Sequence, residues 1–280
     1  MVTRRTPPDL EQADLEEAVE ALLLRGPAPS SFMRYLDIDG VAASMGPSSV
    51  PNDNRVGLTD VAPEHADALI VRVMAAYRDD GRGVSWIVTP RSRPADLPRR
   101  LEEHGFVHAA TDDMAGMASA VVATFDVPRG SDVRVVDLAE LRRHVHVMAA
   151  GFGTATTRFL GILDMYEAGA LPGSAFGYYL AYVDGAVVGY ATSLIDHERG
   201  VLLLGGSAVL PAHRGHGHYR ALVRARIDDA RRSGAAAVVV QARRTTSAPI
   251  LARLGFHEVL PIRTFGLAPP DRAEPRSPRP

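Results

Sequence analysis

The chain has 280 residues, 46% hydrophobic and 23% charged, which are the proportions of a folded globular protein and exclude a largely disordered one. A formal net charge of −2 gives no bulk electrostatic reason to bind nucleic acid or an anionic membrane. Cysteine is absent and every one of the 31 basic residues is arginine, so disulfides, thiolate metal sites, a cysteine nucleophile, a lysine Schiff base and a P-loop lysine are all excluded.

No apolar run reaches the ~18 residues of a membrane span. No apolar core follows Met1 to Asp9, so no secretory signal is read and the cytoplasm is the default location. The ends, 1–9 and 269–280, are rich in Pro, Arg, Ser and acidic residues and are expected to be unstructured. Between them, Val127-Pro128-Arg129-Gly130-Ser131 has turn chemistry and separates two apolar halves. The expected domains are therefore 10–126 and 132–268.

In the first half, Arg55 to Thr59 leads to a helix expected near Pro63 with Asp60 as its cap. Trp86-Ile87-Val88 forms an apolar run, and Leu101 to Ala118 follows. That last segment lies without gaps on Leu251 to Ala268, with Leu101/Leu251, Gly105/Gly255, Phe106/Phe256, Gly116/Gly266 and Ala118/Ala268 coincident. The repeated unit reads as strand, short helix, Gly stop and returning strand. The glycine takes the positive φ of a helix end and the phenylalanine anchors the next strand.

In the second half, Leu138 to Ala149 and Thr157 to Glu167 read as helices. Tyr178 to Val183 and Val187 to Leu194 read as a hairpin around Asp184-Gly185. Val201 to Leu210 is a buried central strand ended by Pro211. His216 to Arg232 follows as a helix with Leu222, Ala225 and Ala230 on its apolar face and Ile227 at the edge. A buried strand (Ala237 to Gln241), a helix near Ser247 to Arg253 and two last strands through Leu267 complete the order. The fold class is α/β, an α+β mixed sheet flanked by helices.

The chemistry-bearing run is Ala208-Val209-Leu210-Pro211-Ala212-His213-Arg214-Gly215-His216-Gly217-His218-Tyr219. A buried strand stops at proline, turns through Arg-Gly-x-Gly and enters a helix. Successive amides in such a turn, with the helix dipole behind them, make a nest for a diphosphate. Glycines at 215 and 217 remove the Cβ atoms that would hold phosphate oxygens away. Arg214 adds charge, with Arg220 and Arg224 close in sequence. The plain alternative is a tight strand-to-helix turn with no ligand.

This order of elements resembles the GNAT acetyltransferase superfamily over Asp132 to Leu267, and the first half resembles the end of the same fold. The resemblance implies two GNAT-like domains, each with a central mixed sheet flanked by helices, the N-terminal copy being degenerate and lacking the CoA turn. It implies acetyl-CoA as co-substrate, with Val209 offering main-chain groups to the pantetheine and Arg214, Gly215, His216, Gly217, His218 and Tyr219 around the diphosphate. Ser247 stands where many relatives carry an asparagine that touches the pantetheine arm; a helix N-cap is its alternative role.

Three positions depart from the family pattern. Tyr219 replaces a small residue. Leu251 stands where a tyrosine usually protonates the leaving thiolate. Leu203 and Gly205 stand where a glutamate often serves as general base. Glu198 is the replacement base by this reading and His197 the second choice; a solvated Asp196-His197-Glu198 hairpin turn is the competing one. Ser207 is read either as a water-positioning group or as a small core residue. Gly151-Phe152-Gly153-Thr154, Arg158 and Phe159 fall where relatives build the acceptor site. The spacing of His213, His216 and His218 suits backbone presentation better than metal ligation, so no metal is expected.

The expected activity is transfer of an acetyl or other acyl group from CoA to the amine of a small molecule or peptide, with no nucleic-acid or membrane partner. A non-catalytic acyl-CoA sensor or interaction module is the alternative, motivated by the missing tyrosine and glutamate. The acceptor, the acyl length and the oligomeric state are not legible in the sequence.

Overall fold

A computed structural model of the chain describes residues 10–121, 125–127 and 130–270. The ends expected to be unstructured lie outside the described residues except for 269–270, as do Pro128 and Arg129 of the expected boundary turn. The chain forms two compact units. The larger takes the described residues up to Met33 together with Asp113–Ile262, and the smaller takes Arg34–Asp112 together with the described residues from Arg263. A single cut near Val127 therefore does not follow the packing. The first helix, α1 (Gln12–Leu24), belongs to the larger unit.

The smaller unit contains β1 (Arg34–Leu36), β2 (Ala42–Met45), β3 (Asn54–Gly57), α2 (Ala66–Asp79), β4 (Val84–Val88), α3 (Leu97–Glu103) and β5 (Val107–His108). A single 3-10 turn, Pro63–His65, precedes α2, so the helix begins later than Pro63 and Asp60 does not cap it. Strands β1, β2 and β3 pair antiparallel in succession, and β3 pairs parallel with β4. Trp86 on β4 is fully buried and meets Phe106 edge to face at 5.7 Å between centroids. These rings, with Leu69, Ile70, Val73, Leu97, Leu101 and Phe265, form its core.

The larger unit resumes with β6 (Met114–Ala120), β7 (Asp132–Val136), α4 (Leu138–Arg143), α5 (Val145–Phe152) and α6 (Thr156–Glu167). The single helix expected from Leu138 to Ala149 is thus divided at His144, which ends α4 and opens α5. Next come β8 (Ser174–Val183), β9 (Ala186–Asp196), β10 (Val201–Val209), α7 (His218–Ser233), β11 (Ala237–Arg243), α8 (Ser247–Ala252) and β12 (His257–Leu267). The two expected last strands are one, bent by a register shift between Glu258 and Leu260. Residues His257 to Ile262 of β12 pair with β6 in the larger unit, and Arg263 to Leu267 pair with β4 and β5 in the smaller. The larger sheet runs β12-β6-β11-β10-β9-β8-β7, and only β10–β11 is parallel among its described pairs.

Close approach explains why α1 sits with this sheet. A Cβ on Gly116 of β6 would lie 2.8 Å from Val19 Cγ1, and the Gln241 side-chain amide donates to the Val19 carbonyl at 2.8 Å. The internal repeat is visible bond for bond. Phe106 N–H donates to Leu101 at 3.0 Å and Phe256 N–H to Leu251 at 3.1 Å, with Gly105 and Gly255 at φ 88° and 90°. Among the described residues, no helix is long and apolar enough to cross a membrane.

Candidate functional site

Strand β10 positions the site. It pairs with β11 only from Val201 to Leu204, then leaves it while staying paired with β9 as far as Val209. A one-residue bulge falls at the point of divergence: Leu204 pairs with Ser193 and Ser207 with Ala191, leaving Gly205 and Gly206 opposite Thr192. A Cβ on Gly205 would stand 2.4 Å from Thr192 Oγ1, so the bulge requires glycine there.

The ladder gives the direction of the backbone groups beyond the bulge. Leu210 N–H donates to Val188 C=O at 2.8 Å. Bonded and non-bonded pairs alternate in an antiparallel ladder, so the intervening residues Val209 and Ser207 turn their own N–H and C=O away from β9, into the gap left by β11. The Gly206 carbonyl, on the same peptide as the Ser207 N–H, accepts from Thr192 Oγ1 at 3.4 Å and holds that orientation.

At the end of β10 a 3-10 turn, Pro211–His213, leads through Gly215 (φ 81°) and Gly217 (φ 87°) into α7. His213 N–H bonds to Leu210 and Arg214 N–H to Pro211. From Gly215 to Arg220, no backbone N–H has a hydrogen-bond partner among the described residues. A Cβ on Gly215 would meet nothing within 4 Å. A run of free donors at the N-terminus of a sixteen-residue helix is an arrangement whose amides and dipole favour an anion.

Of the side chains around the turn, His218 is buried, His213, Tyr219 and Arg220 are half-buried, and Arg214 and His216 are exposed. Arg214 donates from Nε to Val209 C=O at 3.1 Å and from Nη2 to Gly151 C=O at 2.8 Å, tying the turn to the end of α5. The Val209 carbonyl is thereby taken, and its N–H is the group left for a ligand. His218 is buried and its Nδ1 lies 2.7 Å from Ser131 Oγ, so only its backbone serves the turn. Burial, with the nearby His213 and His216, lowers the His218 pKa below the ordinary histidine value. Tyr219 packs against Leu222 and Val209, and its hydroxyl reaches Ser207. A bulky residue is tolerated at this position because it points off the amide-bearing face. Arg224 is committed to Asp228 at 3.1 Å and to Phe125 C=O, and Arg220 donates to Asp126 C=O at 3.2 Å.

Glu198 and His197 are not brought to this place. They lie in the β9–β10 turn, at the start of β10, whereas the open turn follows its end; nine strand residues separate the two ends by about 30 Å. Asp196 organises that turn by accepting from the amides of Glu198 and Arg199 at 3.0 Å each, and the Glu198 carboxylate lies against Gly173. His197 and Glu198 are both exposed there. Ser247 is the first residue of α8, with Thr246 at the cap position, so it is not an N-cap. Among the described residues, no group of His, Asp and Glu is arranged to hold a metal; the His213 and His216 rings each lie 6.2 Å from that of His218.

On the other face of β10, α5 packs against Ala208 through Gly151. Phe152 is 48% exposed and stacks on Phe159 at 5.7 Å, and Tyr190 meets both rings edge-on. The Thr154 hydroxyl oxygen is buried without a hydrogen-bond partner among the described residues.

Sequence reasoning missed Arg226. It is fully buried on α7 with Leu222, Val223, Ile227 and Ala230. The available signal was spacing: Tyr219, Leu222, Val223, Arg226, Ile227 and Ala230 form one helical stripe. Ala225, expected on the apolar face, is only half-buried, and Ile227 is fully buried at the stripe's edge.

The equivalent place in the smaller unit is closed. Arg93 N–H donates to Thr59 C=O at 2.8 Å, Asp60 and Arg93 form a parallel bridge, and Trp86 Nε1 donates to Thr59 Oγ1 at 2.9 Å. No gap opens beyond β3, and Pro63 has no N–H to present.

Residues 153–256 match the model of the Acetyltransferase (GNAT) family. No curated protein matches the chain. Among solved structures, the chain is similar to a GCN5-related N-acetyltransferase from Kribbella flavida, with TM-score 0.63 and 19% identity over 84% of this chain and 89% of that one. It is similar to a GCN5-related N-acetyltransferase from Sphaerobacter thermophilus, with TM-score 0.59 and 18% identity over 83% and 82%. It also resembles a tandem GNAT protein from the clavulanic acid biosynthesis pathway, with TM-score 0.59 and 14% identity over 92% and 95%. At such identities the structural matches speak for fold, two GNAT-like units in one chain, and the family match speaks for the segment that holds the open turn. The match to the acetyltransferase (GNAT) family is thus carried by residues 153–256, the segment that holds the open turn.

Proposed function

We propose that the larger unit transfers an acetyl group from acetyl-CoA to the amine of a small molecule or peptide. The observation that carries this reading is the run of unbonded amides from Gly215 to Arg220 at the start of α7. Those amides and the helix dipole would hold the diphosphate, and the Ser207 and Val209 N–H groups in the β10–β11 gap would bond the pantetheine arm and the thioester carbonyl. Ser247, at the start of α8, is retained as a residue for the arm.

The reaction forms a C–N bond and breaks a C–S bond. The amine lone pair enters the thioester carbonyl carbon, negative charge gathers on the carbonyl oxygen, and the electrons then leave with sulfur. One proton passes from the amine to the departing thiolate, through water. The chain's contribution is proximity and a fixed N–H at the carbonyl oxygen. The acceptor side is the face of Phe152, Thr154 and Phe159, where an exposed aromatic ring adjoins an unsatisfied hydroxyl. The N-terminal copy, closed at Thr59 and Arg93, takes no CoA in this reading. A cytoplasmic location and a soluble amine acceptor belong to the same reading.

Calorimetric titration with acetyl-CoA tests the cofactor claim, and absence of binding at millimolar ligand would overturn it. A second reading, a non-catalytic acyl-CoA sensor, is favoured by Leu251, fully buried at the usual acid position. Release of free CoA across a panel of amines separates the two: turnover supports the enzyme, and tight binding without release under any acceptor supports the sensor.

A further inference from the structure

Arg226 is the largest charged side chain the fold buries completely. Its Nε donates to Leu222 C=O at 3.0 Å within α7. Its Nη1 reaches across the sheet to Thr192 C=O at 3.3 Å and Gly205 C=O at 3.4 Å, and Nη2 lies 3.5 Å from Ser207 Oγ. The guanidinium therefore grips both sides of the β10 bulge. Among the described residues no carboxylate pairs with it; its surroundings are the rings of Tyr219, Tyr179 and Tyr190. Asp229, three residues further along α7, accepts from the Tyr179 hydroxyl at 2.5 Å.

Burying an uncompensated cation opposes folding, and buried charges can often be replaced by apolar side chains of similar shape with little or no loss of stability. Arginine remains protonated even when burial depresses its pKa, as it does here. Stability alone does not account for a charge at this position, and its partners suggest what does. The Gly205 carbonyl turned toward Arg226 fixes one peptide of the bulge, and Thr192 Oγ1 fixes the next through the Gly206 carbonyl. The second peptide carries the Ser207 N–H that faces the β10–β11 gap. The Arg226 guanidinium, 3.5 Å from Ser207 Oγ, puts a positive charge beside this peptide, which strengthens the N–H as a donor to a carbonyl oxygen that gathers negative charge; low surrounding dielectric enlarges the effect.

We infer that Arg226 is a positioning residue for acyl transfer: it locks the Gly205–Ser207 bulge and polarises the Ser207 N–H toward the thioester carbonyl oxygen. This rests on the acetyltransferase reading above. It adds a residue outside the diphosphate turn, acting through backbone without touching the substrate.

The test compares the full-length chain with Arg226→Met, Arg226→Lys and Thr192→Val. Acetyl-CoA affinity is measured by calorimetry, kcat and KM by CoA release, and the thioester carbonyl stretch by difference infrared spectroscopy with acetyl-CoA isotopically labelled at that carbonyl. Arg226→Met is expected to keep acetyl-CoA affinity within about threefold, to lower kcat by roughly 10- to 100-fold and to move the carbonyl band to higher frequency. Arg226→Lys, which keeps the charge and loses the fork, is expected to recover part of both effects. A merely structural role would leave the band unmoved in any folded variant. An unchanged band and kcat in Arg226→Met overturn the inference. Where Arg226→Met does not fold, Arg226→Lys and Thr192→Val decide it by the same readouts, and unchanged values in both overturn it. Failure of the unmutated chain to bind acetyl-CoA is a different result, which removes the acetyltransferase reading itself.

Discussion

Arg214 and Gly151 are joined by a 2.8 Å hydrogen bond from guanidinium to carbonyl, and the same guanidinium holds Val209 C=O. The arginine of the turn thus joins the end of β10 to the end of α5, the two elements between which donor and acceptor would meet. Its charge is placed for architecture first. Arg214→Ala is expected to leave the fold intact and to weaken acetyl-CoA binding by about 1–3 kcal/mol, the range for charge-assisted hydrogen bonds. Arg214→Lys cannot bridge both carbonyls and should recover little. Calorimetry with acetyl-CoA measures both; equal affinity in all three proteins would refute the role.

The turn glycines make separable predictions. Gly215 has φ 81° and open space beyond its α-carbon. Gly215→Ala should lose about 1 kcal/mol of stability from backbone strain alone, read as a small drop in Tm. Gly217→Glu should abolish acetyl-CoA binding through bulk and like charge while leaving the circular dichroism of the fold unchanged. A Gly217→Glu variant with full affinity would remove this turn from the site.

Gly151 tests the packing of α5 on β10. A Cβ there would stand 2.7 Å from the Ala208 Cβ, which neither backbone can relieve without moving. Gly151→Ala is expected to destabilise the chain by about 1–3 kcal/mol, as overpacked sites do, in denaturant titration. It should also raise the acceptor KM, because Phe152 shifts with the helix. A neutral effect on both would show that α5 is mobile against β10.

His218 gives a pH dependence with a definite sign. Its folded pKa lies below the unfolded histidine value near 6.5, because burial and neighbouring histidines oppose the charged ring. Between the two pKa values the unfolded chain binds more protons than the folded one. The contribution to stability is therefore full above about pH 6.5 and is lost as pH falls through the folded value. Thermal unfolding from pH 7.5 to 5 should show this loss, and His218→Asn should flatten it. A bound diphosphate would reverse the balance, so acetyl-CoA binding near pH 6 should take up protons, seen as a buffer-dependent enthalpy in calorimetry.

Glu198→Gln and His197→Asn are expected to leave kcat within about twofold of the unmutated chain, since their turn precedes Val201, about 20 Å along the strand from Ser207, where the thioester carbonyl would sit. A loss of more than tenfold would mean that the acceptor binds along the whole strand.

Local chemistry by itself determined much of this protein. Glycine at 105 and 255 dictated two helix stops of the same φ, followed by phenylalanines bonded alike to Leu101 and Leu251. Pro211 and the Gly215–Gly217 pair dictated a strand end and a turn with free amides, because these features depend on backbone sterics within a few residues.

Other decisions needed partners distant in sequence. Helix α1 joined the larger unit because Val19 meets Gly116 and Gln241. Arg214 and Tyr219 found their partners in Gly151, Val209 and Ser207, and Glu198 was set apart by the length of β10. Arg226 reads as a surface residue until the crossover of α7 lays it beneath the bulge at Gly205. The reason is the same in each case: a sidechain's environment is made by elements folded against it, whereas its effect on its own backbone is made where it stands.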